Sequence, residues 1–89
     1  MHAIITVIGK DKVGIIAKVT TMLAEIDINV LEISQTIMSG NFTMVVLVDY
    51  TLCKLSFGEI SAACNKLGDD MNLSIKIQRT EIFEAMHTI

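Results

Sequence analysis

The chain has 89 residues, of which 52% are hydrophobic, and its formal net charge is -3. A chain of this length is expected to form one domain, residues 1–89, that buries roughly 60–65% of its unfolded surface, and its mean hydropathy of +0.58 predicts apolar surface for a partner subunit. Six scattered lysines and a single arginine, Arg79, exclude the clustered cations that nucleic-acid binding requires.

Residues 3–8 form a near-continuous apolar run, which is typical of a central strand covered on both faces. Gly9 and Lys10 end this run far short of membrane-spanning length, and no charged segment precedes it, so we expect no membrane segment and a cytoplasmic protein. From Ile15 to Ile26 apolar residues recur at helical spacing. Asn29 is expected to end that helix, because asparagine tolerates left-handed backbone geometry.

Residues 30–38 alternate between apolar and polar side chains, which predicts a half-buried strand. Gly40-Asn41 predicts a hairpin turn into a further strand, residues 42–50. This strand has apolar side chains on both sides and is therefore expected to be central as well.

Ser56 and Glu59 have the spacing of a capping box and predict the start of a second helix, which Gly68 is expected to end. Leu73, Ile75 and Ile77 alternate with polar residues in a last strand. Beyond it, a short amphipathic C-terminal helix opened by Thr80 is predicted from Ile82, Phe83, Met86 and Ile89.

The order β-α-β-β-α-β, with right-handed crossovers, predicts an α+β, ferredoxin-like sandwich. Its four-stranded antiparallel sheet has both helices on one face. Apolar residues of the first and third strands should then lie on the other face, where either the C-terminal segment or another subunit must cover them.

Gly14 ends a polar loop, residues 9–14, where a strand gives way to a helix. A helix beginning there directs unpaired N–H groups and a positive dipole end toward the loop, which suits a carboxylate or phosphate. Close helix-strand packing explains the glycine equally well. Ile15 and Ile16 stand where a nucleotide-binding loop requires lysine and serine or threonine, which excludes a nucleotide triphosphate site.

The cysteines and histidines do not form a chemical motif. Cys53 and Cys64 lack a metal-ligand spacing and a neighbouring base, and burial is the simpler expectation for them. His2 and His87 lie at opposite ends of the chain. We therefore expect no catalytic residue, no metal site and no cofactor.

Five segments together resemble the ACT domain, a regulatory module of ferredoxin-like fold that often binds amino acids between subunits. They are the strand 3–8, the loop Asp11-Lys12-Val13-Gly14, the helix after it, the turn Asp27-Ile28-Asn29-Val30 and the strand 42–50. Within that family the chain is similar to the short, stand-alone bacterial members, and the ending 82–87 adds to the likeness.

The resemblance implies a noncatalytic homodimer that senses an amino acid or related metabolite and acts on a partner protein in trans. Its ligand-binding positions would be Asp11, Val13 and Gly14 of one subunit and Asn29 of its neighbour. Backbone N–H groups near Gly14 would receive a carboxylate, while Asp11 and the Asn29 amide would address an ammonium group or a side chain. Asn29 is also explained as a turn residue, and Asp11 as a solvated loop residue.

Two other functions remain open. A structural or interaction protein without a ligand is suggested by Val13, which replaces a proline common in the family, and by the absence of a loop histidine that some members use. A small acylphosphatase-like hydrolase would need a phosphate-gripping arginine in a loop, whereas Arg79 falls in the last strand.

Overall fold

Six elements follow one another in the predicted order, and the computed structural model describes residues 1–10 and 13–80, except for the side chain of Met38. The predicted C-terminal helix beyond Thr80 lies outside the described residues. The elements are β1 (His2–Lys10), α1 (Ile15–Glu25), β2 (Asn29–Met38), β3 (Asn41–Asp49), α2 (Phe57–Met71) and β4 (Ser74–Arg79). The ferredoxin-like prediction is confirmed.

The sheet has the strand order β2-β3-β1-β4, with antiparallel neighbours throughout. The two apolar runs that predicted central strands are β1 and β3, which occupy the centre. Both helices pack on the same face, where alternate residues of the central strands are buried against them. This core includes Ala3, Ile5, Val7, Ile15, Val19, Leu23, Met44, Val46, Val48, Ile60, Cys64 and Ile75.

α1 ends at Glu25, four residues before Asn29, so the prediction that Asn29 ends the helix is wrong. Asp27 takes the left-handed conformation, with φ of 60°. Its N–H donates to the Ala24 carbonyl at 3.2 Å, and the N–H of Ile28 donates to the Leu23 carbonyl at 2.9 Å, which is a Schellman motif. Because Ile28 must enter the core beside Leu23, the chain reverses at Asp27 and Asn29 becomes the first residue of β2.

α2 begins with the predicted capping box. The Glu59 N–H donates to Ser56 Oγ at 3.2 Å, and the Ser56 N–H donates to Glu59 Oε1 at 3.0 Å. The predicted end at Gly68 is wrong, because the helix continues to Met71 and Asn72 takes the left-handed position with φ of 61°. Gly68 instead faces β4, where a Cβ atom would lie 2.7 Å from the Leu73 carbonyl oxygen. The glycine permits this close helix-strand approach.

β2 differs most from its prediction. Its residues from Leu31 to Ile37 are all exposed, because β2 is an edge strand and the helices leave it largely uncovered. Its register shifts between Val30 and Glu32, which marks a β-bulge. The hairpin that follows turns at Ser39 and Gly40, both with positive φ, so the turn lies one residue earlier than predicted and Asn41 already belongs to β3.

The sheet face away from the helices is called here the open face. Cross-strand partners share a face, so Ile4 and Leu47, Thr6 and Val45, and Ile8 and Thr43 lie there as pairs. The predicted apolar residues of the first and third strands are thus confirmed. Among the described helices, none has the length and apolar character to cross a membrane.

Candidate functional site

The N-terminus of α1 opens on a small groove beside β2. Gly14 precedes the helix in a left-handed conformation, with φ of 85°. Its carbonyl accepts the first helical bond from the Lys18 N–H at 3.0 Å. The N–H groups of the first helical turn have no partner within a helix, and in the described part of the chain no side chain caps them. They are therefore available to an anionic group.

The groove has a volume of about 210 Å³ and mainly apolar walls, with Gln35 as its one uncharged polar side chain among the described residues. It is lined by Gly14, Ile15, Ile16, Ala17, Gln35, Ile37 and Phe42. Complete small-molecule sites usually enclose roughly 300–1,000 Å³. Ile16 and Ile37 remain 37% and 58% exposed. The groove is therefore smaller than a complete site of this kind and is open to solvent at Ile16 and Ile37.

Asn29 lies at the other end of β2. It lines a second cavity, of about 340 Å³, together with Asp27, Ile28, Asp49 and Leu52. Between Asn29 and Gln35, which lines the first groove, the strand advances six residues, or about 20 Å at roughly 3.3 Å per residue. One copy of the chain therefore does not bring Asn29 and Gly14 together.

The structure adds less about the other two predicted site residues, Val13 and Asp11. Val13 is adjacent to Gly14 and fully exposed, and it does not line the groove. Asp11 lies outside the described residues. Sequence reasoning missed Gln35 and Asp49, since their places beside Gly14 and Asn29 depend on the packing of α1 against β2 and on the β2–β3 register.

The Asn29 end of the molecule carries an ionised carboxylate. Thr51 donates to Asp49 Oδ1 from its hydroxyl at 2.5 Å and from its N–H at 2.9 Å. These bonds, first that of the hydroxyl and then that of the amide, hold the pKa of Asp49 below its ordinary value. The Met1 amine lies 3.6 Å from the same oxygen. Asp27 also lines this cavity, so two carboxylates border it, and one of them lies beside the Met1 amine.

Cys64 and Arg79, two side chains considered for catalysis, do not line the Gly14 groove. Cys64 is buried as expected, and burial raises the pKa of its thiol to about 11, so it is protonated at neutral pH. Arg79 stacks over the Phe57 ring at 4.4 Å and pairs with Ala3, at the end of β1 remote from Gly14. Within residues 1–10 and 13–80, no group of three or more His, Cys, Asp or Glu side chains could hold a metal ion.

Comparison with known proteins agrees with this fold. The family model of the ACT domain matches residues 1–78. The chain is 48% identical to a UPF0237 protein of Listeria monocytogenes over 89 residues, which are 100% of both chains.

Two solved structures extend the comparison. An ACT domain protein from Streptococcus pneumoniae superposes with a TM-score of 0.84 at 42% identity, covering 94% of each chain. The regulatory subunit of aspartate kinase from Thermus thermophilus, in its ligand free form, superposes with a TM-score of 0.67 at 28% identity, covering 86% of this chain and 50% of that chain.

Proposed function

Since the chain belongs to the ACT domain family, we propose that it is a noncatalytic regulatory module that binds a small metabolite between two copies of itself. The observation that supports this proposal most is the division of the site. The Gly14 groove and the Asn29 turn lie at opposite ends of one exposed edge strand, and a second copy paired along that edge would lie against both.

Antiparallel pairing of two β2 strands would join these halves. β2 runs from Asn29 to Met38, so a two-fold axis near its middle places Asn29 of one copy opposite the groove end of the other. An isologous contact of this kind forms two equivalent sites. Ile33 on the helix side of β2 is 39% exposed and would be buried together with Ile16 and Ile37.

The chemistry of the joined halves favours an α-amino acid or a related acid. The free N–H groups and positive dipole end of α1 would receive its carboxylate. The Asn29 amide oxygen and the carboxylates of Asp27 and Asp49 at the neighbour's turn would attract its ammonium group. Ile16, Ile37 and Phe42 would contact an apolar side chain.

A regulatory role follows if the bound metabolite favours one arrangement of the dimer over another, because a ligand with equal affinity for two states shifts neither. The partner would then be a separate protein that distinguishes these arrangements. The aspartate kinase subunit, a regulatory protein with a similar fold, supports this assignment.

The first test is a thermal-shift screen of the purified protein against amino acids and common metabolic acids. Ligand at about a hundred times its dissociation constant adds roughly 2.7 kcal/mol, and each kcal/mol raises the Tm of a domain of this size by roughly 4–8 °C. We expect a selective rise. If no compound at millimolar concentration raises Tm, the proposal fails.

Two matched glycines show whether the response comes from the groove. Gly14 and Gly40 both have positive φ, and among the described residues beyond their chain neighbours neither has an atom within 4 Å of an added Cβ. Gly14→Ala and Gly40→Ala should therefore each cost about 1–2 kcal/mol through left-handed strain. Only Gly14→Ala should also weaken the ligand response. An equal response in both variants would place the ligand elsewhere.

The second candidate function is protein interaction without a ligand. The large apolar side chains of Val13 and Leu52 favour it, because both are exposed on loops outside β2. A partner that binds equally well with and without every compound of the screen would support this function over metabolite sensing.

A further inference from the structure

A further cavity lies where α2 begins, beside the last residue of β4. Its volume is about 490 Å³, and small-molecule sites usually enclose roughly 300–1,000 Å³. None of its described lining residues borders the Gly14 groove or the Asn29 cavity. The lining residues used below are Tyr50, Cys53, Leu55, Phe57 and Arg79.

Arg79 is the one charged side chain among the described lining residues. Its guanidinium lies 4.4 Å from the centre of the Phe57 ring, and stacking on an aromatic face leaves the N–H donors at the guanidinium edge free. Within the described ranges, no carboxylate forms an ion pair with Arg79. Glu59, at the same end of α2, accepts the Ser56 N–H at 3.0 Å instead. Arg79 therefore has donors for an anionic group.

Tyr50 directs a hydroxyl to the same cavity. The residue is only 7% exposed, and its ring meets the Phe57 ring edge-on, with the centroids 5.8 Å apart. In the part of the chain that the structure describes, the hydroxyl has no hydrogen-bond partner, yet no buried side-chain oxygen there is unpartnered. The hydroxyl therefore belongs to the small exposed part of Tyr50, which borders the cavity. It can donate to an anionic oxygen.

The rest of the wall is mainly apolar. Cys53, Leu55 and Phe57 are partly buried and pack against the core, so the core holds them in place without a ligand. A carboxylate fits a guanidinium through two parallel N–H···O bonds, and an apolar wall favours an apolar body. The cavity thus combines the features that recognise an acid with an apolar body.

We propose that this cavity binds a small carboxylic acid with an apolar body. The Arg79 guanidinium pairs with the carboxylate, the Tyr50 hydroxyl donates to it, and the body lies against Leu55 and Phe57. Every one of these contacts comes from a single copy, so binding requires no dimer. The protein then has a second ligand site that is independent of β2 pairing and of the metabolite site between copies.

The test uses two signals that the chain already contains, because its sequence has one tyrosine and one arginine. The full chain is titrated with cyclohexylacetate, which does not absorb where tyrosine does. We expect a saturable change in Tyr50 fluorescence and a shift of the Arg79 Nε–H resonance in a proton–nitrogen NMR spectrum, with the same Kd. Acetate lacks the apolar body and cyclohexylacetamide lacks the charge, so each should bind about tenfold more weakly or less.

Matched variants test the two polar contacts. Arg79→Gln should weaken binding about tenfold or more, measured by Tyr50 fluorescence, because it removes a charge-assisted contact. Lys76→Gln is its control, since it removes the same charge from the same strand on the open face, where Lys76 pairs with Thr6. It should leave the Kd unchanged. Tyr50→Phe should weaken binding about fivefold, measured by the Arg79 resonance.

Three results would overturn the proposal. They are no saturable change at millimolar cyclohexylacetate, equal affinity for the acid and its amide, and an unchanged Kd in Arg79→Gln. Circular dichroism checks that Arg79→Gln is folded, and if it is not, an unchanged Kd in Tyr50→Phe overturns the proposal instead. Gly14→Ala should leave the Kd for cyclohexylacetate unchanged. A loss of binding in that variant would assign the acid to the Gly14 groove.

Discussion

β2 and β4 are the two edge strands of one sheet, yet the helices cover β4 much more than β2. Ile75 and Ile77 of β4 are buried under α2, which approaches closely because Gly68 has no side chain. β2 has ten residues, and Ile33 and Ile37 on its helix side remain exposed. The layer of helices is thus displaced toward β4, and the proposed β2 interface lies where the helices leave the sheet uncovered.

The largest expected effect comes from placing a charge on the uncovered edge. Ile33→Lys should abolish the proposed dimer, because each copy loses a buried isoleucine contact of about 1.5–3 kcal/mol. A native mass measurement in solution should then give the monomer. Gln78→Lys on β4 is the control and should leave the mass unchanged. A dimeric mass for Ile33→Lys would exclude β2 as the interface.

The close contact on the β4 side should be broken by one methyl group. Gly68→Ala places a Cβ atom 2.7 Å from the Leu73 carbonyl oxygen, so we expect overpacking to cost about 1–3 kcal/mol. In Gly58→Ala the nearest atom is Ser56 Oγ at 3.9 Å, and helix propensity should add up to about 1 kcal/mol. Urea unfolding would measure both. A neutral Gly68→Ala would show that α2 can move away without loss.

The two helix ends allow a smaller comparison. Asp27 before β2 and Asn72 before β4 hold the same left-handed position. Replacing either with glycine should stabilise the fold slightly, because the relieved left-handed strain is at most about 1–2 kcal/mol and the entropy cost of glycine offsets part of it. Only Asp27→Gly should also change the ligand response, because Asp27 lines the Asn29 cavity. A changed response in Asn72→Gly would contradict the proposed position of the site.

The smallest effect concerns acid. Thr51 lowers the folded-state pKa of Asp49 near β2, and Ser56 lowers that of Glu59 at the start of α2, through its amide first and its hydroxyl second. A lowered folded pKa stabilises the protein above the unfolded pKa, near about 4, and this stabilisation is lost as pH falls through the folded value. Thr51→Val and Glu59→Gln should each flatten the acid limb of stability against pH. An unchanged limb would refute the assignment.

The start of α2 was predictable from two nearby residues, whereas the C-terminal ends of both helices depend on how the chain packs. Ser56 and Glu59 bond to each other's backbone, so their spacing alone predicts the cap. The ends at Asp27 and Asn72 depend on where Ile28 and Leu73 enter the core. The sequence therefore pointed to Asn29 in place of Asp27 and to Gly68 in place of Asn72.

The sequence could not show which alternating strand lies at an uncovered edge. Residues 30–38 have the period of a half-buried strand, and this period is the same whether or not a helix covers one side. The candidate site was likewise predictable only in part. Gly14 and Asn29 were proposed from their turns alone, whereas Gln35 lines the Gly14 groove and Asp49 lines the Asn29 cavity through packing and strand register.

The unequal edges also bear on polymerisation. β4 has six residues and carries Lys76, and a short strand with a lysine resists addition of another chain. If β2 takes a neighbour, the combined sheet has only β4 edges at its two ends. Growth then stops at two copies, so a protein with this much apolar sequence can pair its sheets without seeding a fibre.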